Sequence, residues 1–215
     1  MVSLGESLSA ALDAVPAVAI VRAQSAELLP AIVDVLAGAG VRAVELPLTT
    51  PGALEAINDS VELQRSSDAL VGAGTVLDAA DARAAIDAGA QFLVTPVVAP
   101  DAIAAAAERG VPVLCGAMTP TEILAAYRGG AWAVKVFPAS LGGQSFVKAV
   151  REPLPQIPLV PTGGVSIDAA AEWMALGVRA VALGSPLVGD AIRGGSLDEL
   201  AERARQLVAN LSAAG

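Results

Sequence analysis

Gly110-Val111-Pro112-Val113-Leu114-Cys115, answered 20 residues on by Gly130-Ala131-Trp132-Ala133-Val134-Lys135-Val136-Phe137, is the stretch whose reading decides the fold. Each glycine closes a segment of helical composition, Asp101–Arg109 and Thr121–Arg128, and opens a short apolar run. A glycine at a helix C-terminus supplies the left-handed backbone that ends the helix, and a Val-rich run without polar alternation fits a strand buried on both faces. The same phrase recurs at Gly40 before Val41–Leu46, at Gly89 before Phe92–Thr95 and at Gly177 before Val178–Leu183. From Gly89 to Gly110 to Gly130 the spacings are 21 and 20 residues, and the intervals from 40 to 89 and from 130 to 177 are about double. One strand-helix unit per roughly 20 to 25 residues is the arithmetic of a (β/α)8 TIM barrel.

Filling the gaps predicts strands near Ala17–Val21, Val41–Leu46, Ala69–Gly72, Phe92–Val94, Val113–Cys115, Ala133–Val136, Leu159–Pro161 and Ala180–Leu183. Further helices are expected over Ala26–Ala37 and Asp78–Ala88, with a last amphipathic one at Leu197–Leu211. An open doubly wound sheet can hold such repeats too, but eight equally spaced strands favour closure. A chain of 215 residues sits at the low end for a lone barrel, and nothing in it reads as a linker, so residues 1–215 are expected to form a single domain.

Composition narrows the chemistry. Hydrophobic residues make up 54% and aromatic ones 3%, which suits helices packed closely on a sheet of small side chains. No apolar run is long enough to span a bilayer, and the start of the chain lacks a secretory pattern, so a cytoplasmic protein is expected, with no membrane partner. A net charge of −9 without a basic run argues against nucleic acid, and any anionic ligand must be held by local groups. The one cysteine, Cys115, excludes an internal disulfide and reads as a buried strand residue. The absence of histidine removes Ser-His and Cys-His pairs and the His-containing metal sites. Carboxylate, lysine, tyrosine, a cofactor or Mg²⁺ on oxygen ligands remain.

Barrel chemistry is assembled at the C-terminal ends of the strands. Those ends carry Arg22, Glu45, Thr75, Thr95, Lys135, Thr162-Gly163-Gly164 and Gly184-Ser185. Lys135 is a lone charge in an apolar strand; burial favours the neutral amine that an imine-forming nucleophile needs, whereas a strand-end salt bridge is the structural alternative. Glu45 is likewise isolated in Val44-Glu45-Leu46-Pro47. Strands 2 and 6 of a closed barrel face each other, so both side chains can reach one cavity, where a carboxylate can shuttle protons or simply neutralise Arg22 or Lys135. Arg22 offers a planar fork for a carboxylate, or is a solvated loop arginine. Gly72-Ala73-Gly74-Thr75 brings backbone and a hydroxyl to the cavity after strand 3, or is an ordinary glycine-rich turn. Thr162-Gly163-Gly164 and Gly184-Ser185-Pro186 fall after strands 7 and 8, the usual phosphate site of such barrels, although a tight turn and a helix cap explain them as well.

Taken together, Ile20-Val21-Arg22-Ala23, Val44-Glu45-Leu46, Val71-Gly72-Ala73-Gly74-Thr75-Val76-Leu77, Thr95-Pro96, Gly116-Ala117-Met118-Thr119-Pro120-Thr121-Glu122, Val134-Lys135-Val136-Phe137-Pro138 and Pro161-Thr162-Gly163-Gly164-Val165 resemble the 2-keto-3-deoxy-6-phosphogluconate (KDPG) and 4-hydroxy-2-oxoglutarate (KHG) aldolase family. The segments run in family order over nearly the whole chain. The resemblance implies that Lys135 is a Schiff-base lysine and Glu45 its proton shuttle. It further implies that Arg22, Thr49, Thr75, Pro96 and Phe137 surround the keto acid, and that Thr162, Gly163, Gly164, Gly184 and Ser185 hold the phosphate. A cytosolic homotrimer is implied, cleaving a phosphorylated 2-keto acid to pyruvate and glyceraldehyde 3-phosphate without a metal or other cofactor. Many members carry arginine where this chain has Thr49, which leaves Arg22 and Thr49 to share the carboxylate. Leu46-Pro47-Leu48-Thr49-Thr50-Pro51 also resembles the branch acting on the galactonate epimer, so the sugar configuration stays open. Two other readings remain: a non-covalent phosphosugar isomerase or epimerase with Glu45 as base and Lys135 as electrophile, and a non-catalytic barrel scaffold.

Overall fold

The apolar runs form β1 (Ala17–Ile20), β2 (Ala43–Pro47), β3 (Leu70–Gly74), β4 (Leu93–Val94), β5 (Val113–Ala117), β6 (Ala133–Val136), β7 (Leu159–Pro161) and β8 (Val181–Leu183) in a computed structural model that describes residues 2–64 and 67–213. Neighbours pair in parallel in the order β7-β6-β5-β4-β3-β2-β1-β8. The cylinder is completed between β7 and β8 by the bridge from Thr162 to Ala182 and by the Arg179 amide, which donates to the Leu159 carbonyl at 2.8 Å. Around it lie α1 (Leu4–Ala14), α2 (Leu29–Gly38), α3 (Ala53–Leu63), α4 (Ala79–Asp87), α5 (Pro100–Glu108), α6 (Pro120–Arg128), α7 (Gly143–Arg151), α8 (Ala170–Ala175), α9 (Ser185–Val188) and α10 (Leu197–Ser212). The expected (β/α)8 barrel is therefore the observed one, and the glycines that announced it, Gly40, Gly89, Gly110, Gly130 and Gly177, all take positive φ.

Side chains alternate across each strand, and this parity divides the core in two. Outward-facing Val44, Val71, Leu93, Cys115, Val134 and Val181 pack under the helices. Inward-facing Val18, Ala43, Leu70, Phe92, Leu114, Ala133 and Val160 fill the lower barrel, and Leu8 and Leu12 of α1 close its floor. Both leucines are fully buried, worth about 1.5–3 kcal/mol each as area removed from water. Glu45 and Lys135 lie two residues beyond Ala43 and Ala133, on the same inward parity but one layer higher. The sequence thus puts apolar groups below and the two charges above.

Three of the departures from expectation have physical reasons. α1 precedes the first repeat, and its signal is instead the capping box of Ser3 and Glu6. α2 starts at Leu29 rather than Ala26, with Pro30 in its first turn. β3 runs on through Gly72-Ala73-Gly74, which reads as a turn in sequence, because Leu46 pairs with Ala73 and Pro47 with Gly74. Glycine serves there for close approach: a Cβ on Gly72 would lie 2.6 Å from the Phe92 carbonyl oxygen.

Candidate active site

A cavity of about 560 Å³ opens at the C-terminal ends of the strands, within the size range of small-molecule sites. Lys135 rises into it from β6 and Glu45 from β2; they are 7% and 1% exposed, so water does not screen either group. Among the described residues no hydrogen bond or ion pair reaches the Lys135 amine, and Glu45 Oε2 is buried without a partner. The Lys135 Nζ lies 5.1 Å from the centre of the Phe137 ring. Burial pushes the Lys135 amine below the usual lysine range, and Arg22 pushes it further down, against an opposing pull from Glu45. Burial raises the Glu45 carboxyl above the usual carboxylate range, against the pull of Lys135 and Arg22. Desolvation prevails for both because neither makes a bonded contact with the other. Burial thus shifts each group toward its neutral form.

The room for Glu45 comes from the next strand. A Cβ on Gly74 would sit 1.4 Å from Glu45 Oε2, so the carboxyl occupies the space that any side chain at 74 would fill. The sequence marks Gly74 only as part of a glycine-rich turn; its in-register place beside Pro47 is what gives it this role. Gly116 acts alike one layer over, since a Cβ there would lie 2.2 Å from the Pro96 carbonyl carbon. That clearance lets Pro96 fold over β5 and line the cavity. Thr95, a candidate by position, is buried instead in the scaffold of this turn. Its hydroxyl donates to the Val97 carbonyl at 2.6 Å and accepts from the Gly116 amide at 3.0 Å.

The rim carries the cation. Arg22 lines the cavity and donates through Nη1 to Thr49 Oγ1 at 2.6 Å and through Nη2 to Thr75 Oγ1 at 3.2 Å. Thr75 also faces the cavity and holds φ at 57°, a left-handed backbone unusual for a β-branched residue. Thr49 does not line the cavity; its hydroxyl is turned to Arg22. At the ends of β7 and β8 the cavity is lined by Thr162, Gly163, Gly164, Gly184 and Ser185. Gly163 and Gly164 have φ of 82° and 88°, and among the described residues no internal acceptor takes their amides. Ser185 is the first residue of α9 and caps nothing, since Gly184 holds the N-cap position. Ile20, Val165 and Ala182 add apolar lining that no polar-residue reading singles out.

The sequence model of one family, KDPG and KHG aldolase, matches residues 8–202. The chain belongs to that aldolase family. A probable 2-dehydro-3-deoxy-6-phosphogalactonate aldolase of Rhizobium meliloti is 38% identical over 173 residues, covering 80% of this chain and 81% of the relative. A 2-dehydro-3-deoxy-phosphogluconate aldolase of Pseudomonas aeruginosa is 40% identical over 154 residues, 71% and 69% of the two chains. Among solved structures, a native KDPGal structure superposes with a TM-score of 0.87 at 33% identity, covering 93% of this chain and 96% of that one. Like these relatives the aldolase is a lyase. Among its described residues no helix is long and apolar enough to cross a membrane, and no group of three or more metal-binding side chains comes together.

Proposed function

We propose that the chain is a class I aldolase that cleaves a 6-phosphorylated 2-keto-3-deoxy sugar acid, 2-keto-3-deoxy-6-phosphogluconate or its galactonate epimer, to pyruvate and glyceraldehyde 3-phosphate. The unphosphorylated 4-hydroxy-2-oxoglutarate is a further substrate within this reading. The observation that carries it is the unpaired, buried amine of Lys135 sharing one cavity with the unpaired, buried carboxyl of Glu45. A neutral amine can attack a ketone at once, and a protonated acid can expel water from the adduct.

The proton count closes on these two groups. Lys135 adds to C2, and the carbinolamine loses its hydroxyl as water on taking the Glu45 proton, leaving an iminium and a carboxylate. That carboxylate removes the C4 hydroxyl proton as the C3–C4 electron pair moves into the iminium, which releases the aldehyde and an enamine. Glu45 returns the proton to C3. Water then hydrolyses the iminium, giving pyruvate, the free amine and a reprotonated Glu45. Arg22 and Thr75 would hold the keto-acid carboxylate, with Pro96 and Phe137 against its apolar face. The amides of Gly163 and Gly164, with Thr162, Gly184 and Ser185, would hold the phosphate, offering fixed donors where the net acidic chain supplies no cation.

Borohydride reduction in the presence of pyruvate, followed by peptide mass spectrometry, tests the reading. The expected result is a stable adduct on Lys135, absent from Lys135→Ala. A folded protein that binds pyruvate without an adduct would favour a non-covalent isomerase, and one that binds none would favour a scaffold. A cytoplasmic homotrimer belongs to the same proposal, supported by family membership; sedimentation velocity checks the assembly state.

A further inference from the structure

Two basic side chains line the cavity, and Lys135 is committed to the imine, so under the function proposed above Arg22 is the cation left to meet the carboxylate of the keto acid, beside the Thr75 hydroxyl. Arg22 is exposed at the end of a loop, where a long side chain ordinarily samples many rotamers. Here both ends are fixed. The loop after β1 is stitched to the loop after β2 by Thr50, whose buried hydroxyl accepts from the Ala23 amide at 3.3 Å and donates to the Ala23 carbonyl at 3.2 Å. The guanidinium is gripped by the preceding residue of the same loop, Thr49, on Nη1 and by Thr75 on Nη2. Two of its N–H groups are spent on the threonines and the rest stay free for an anion. Each threonine accepts in these bonds, so each keeps its own hydroxyl hydrogen. Thr75 can offer that hydrogen into the cavity; Thr49 lies outside the lining with its hydroxyl turned to Arg22.

We propose that Thr49 is a positioning residue, which together with Thr75 clamps the Arg22 guanidinium at the mouth of the cavity as a preset fork for the substrate carboxylate. Thr49 acts through Arg22 and not on the substrate. The inference rests on the aldolase reading, because it needs a carboxylate ligand. Loss of the clamp frees Arg22 to wander, which weakens capture of the keto acid and leaves the chemistry at Lys135 alone.

The test is pyruvate-dependent borohydride trapping on Lys135 in the full chain, read as half-saturating pyruvate and limiting rate. Thr49→Val, which keeps the shape and loses the hydroxyl, is expected to raise half-saturation about tenfold with the limiting rate within about twofold. Thr49→Ser is expected to stay within about twofold of the unsubstituted protein. In an Arg22→Ala background, Thr49→Val should add nothing further, because the group it positions is gone. Unchanged half-saturation in Thr49→Val would overturn the proposal. So would equal damage from Thr49→Ser, which points to the methyl group, or full additivity with Arg22→Ala, which points to direct contact. No trapping in the unsubstituted protein would instead refute the aldolase reading, and the positioning role with it.

Discussion

Alanine at position 74 would set its Cβ 1.4 Å from Oε2 and 2.4 Å from Cδ of Glu45, far inside contact distance. Something must move, and the backbone of residue 74 has no reason to. Gly74 is absent from the positive-φ glycines and pairs with Pro47 as the last residue of β3, so an L side chain suits its conformation. The Glu45 carboxyl is the free end of a flexible chain, and its Oε2 has no hydrogen bond to resist displacement. Gly74→Ala should therefore evict the carboxyl and leave the barrel standing, at an overpacking cost of roughly 1–3 kcal/mol. If Glu45 moves protons in cleavage, losing it should lower kcat by at least about 10²-fold, the lower end of what a general acid-base group contributes. Cleavage followed by released pyruvate gives kcat, and circular dichroism melting gives stability. Glu45→Gln is the companion variant, and the double variant should be no slower than the worse single one, since both remove the same group. A Gly74→Ala protein with kcat within about threefold of the parent would refute the reasoning, as would a loss that multiplies in the double variant.

Gly72→Ala makes the contrasting case, because its Cβ meets a backbone oxygen and ring atoms of Phe92; it should lower the melting temperature by several degrees, seen by calorimetry, with little selective effect on kcat. Glu45→Gln should stabilise the fold in a pH-dependent way. The folded carboxyl is raised, so above about pH 4.3 the unfolded chain releases a proton that the folded one keeps, and stability falls as pH rises toward the folded pKa. The melting-temperature gap between Glu45→Gln and parent should thus be nil below about pH 4 and widen as pH rises toward the folded pKa, a profile that thermal melts at stepped pH would show or deny. Ser185→Asp should raise KM for the phosphorylated substrate about a hundredfold by like-charge repulsion while pyruvate trapping on Lys135 stays unchanged. Leu12→Ala should cost about 2–5 kcal/mol in denaturant unfolding, since it opens a hole in the barrel floor.

Much of this was legible in the chain because the barrel repeats one physical sentence. A helix stop at glycine followed by a doubly buried strand appears often enough to count, and Glu45 and Lys135 stand out as charges where the sentence allows none. What escaped notice depends on neighbours brought together only by register. Gly74 looks like turn punctuation until β3 is paired with β2, and Thr95 looks like a site residue until its hydroxyl is seen bound to Val97 and Gly116. Thr49 reads as a ligand to the substrate, yet its position relative to Arg22 follows from loops 27 residues apart in sequence. α1 announced itself only by its cap, because its apolar face is the floor of the barrel and has no counterpart in the repeat.

The seam between β7 and β8 is the thinnest part of the cylinder wall, joined by the bridge from Thr162 to Ala182 and one further amide. The two loops on either side of that seam carry Gly163, Gly164 and Ser185. An anion held by both loops would span the gap as a cross-brace, so occupancy and hoop closure become one event. Amide exchange along β7 and β8 should then slow when inorganic phosphate is added, more than along β3 or β5. The stave held most weakly to its neighbour would then be the one a bound anion tightens.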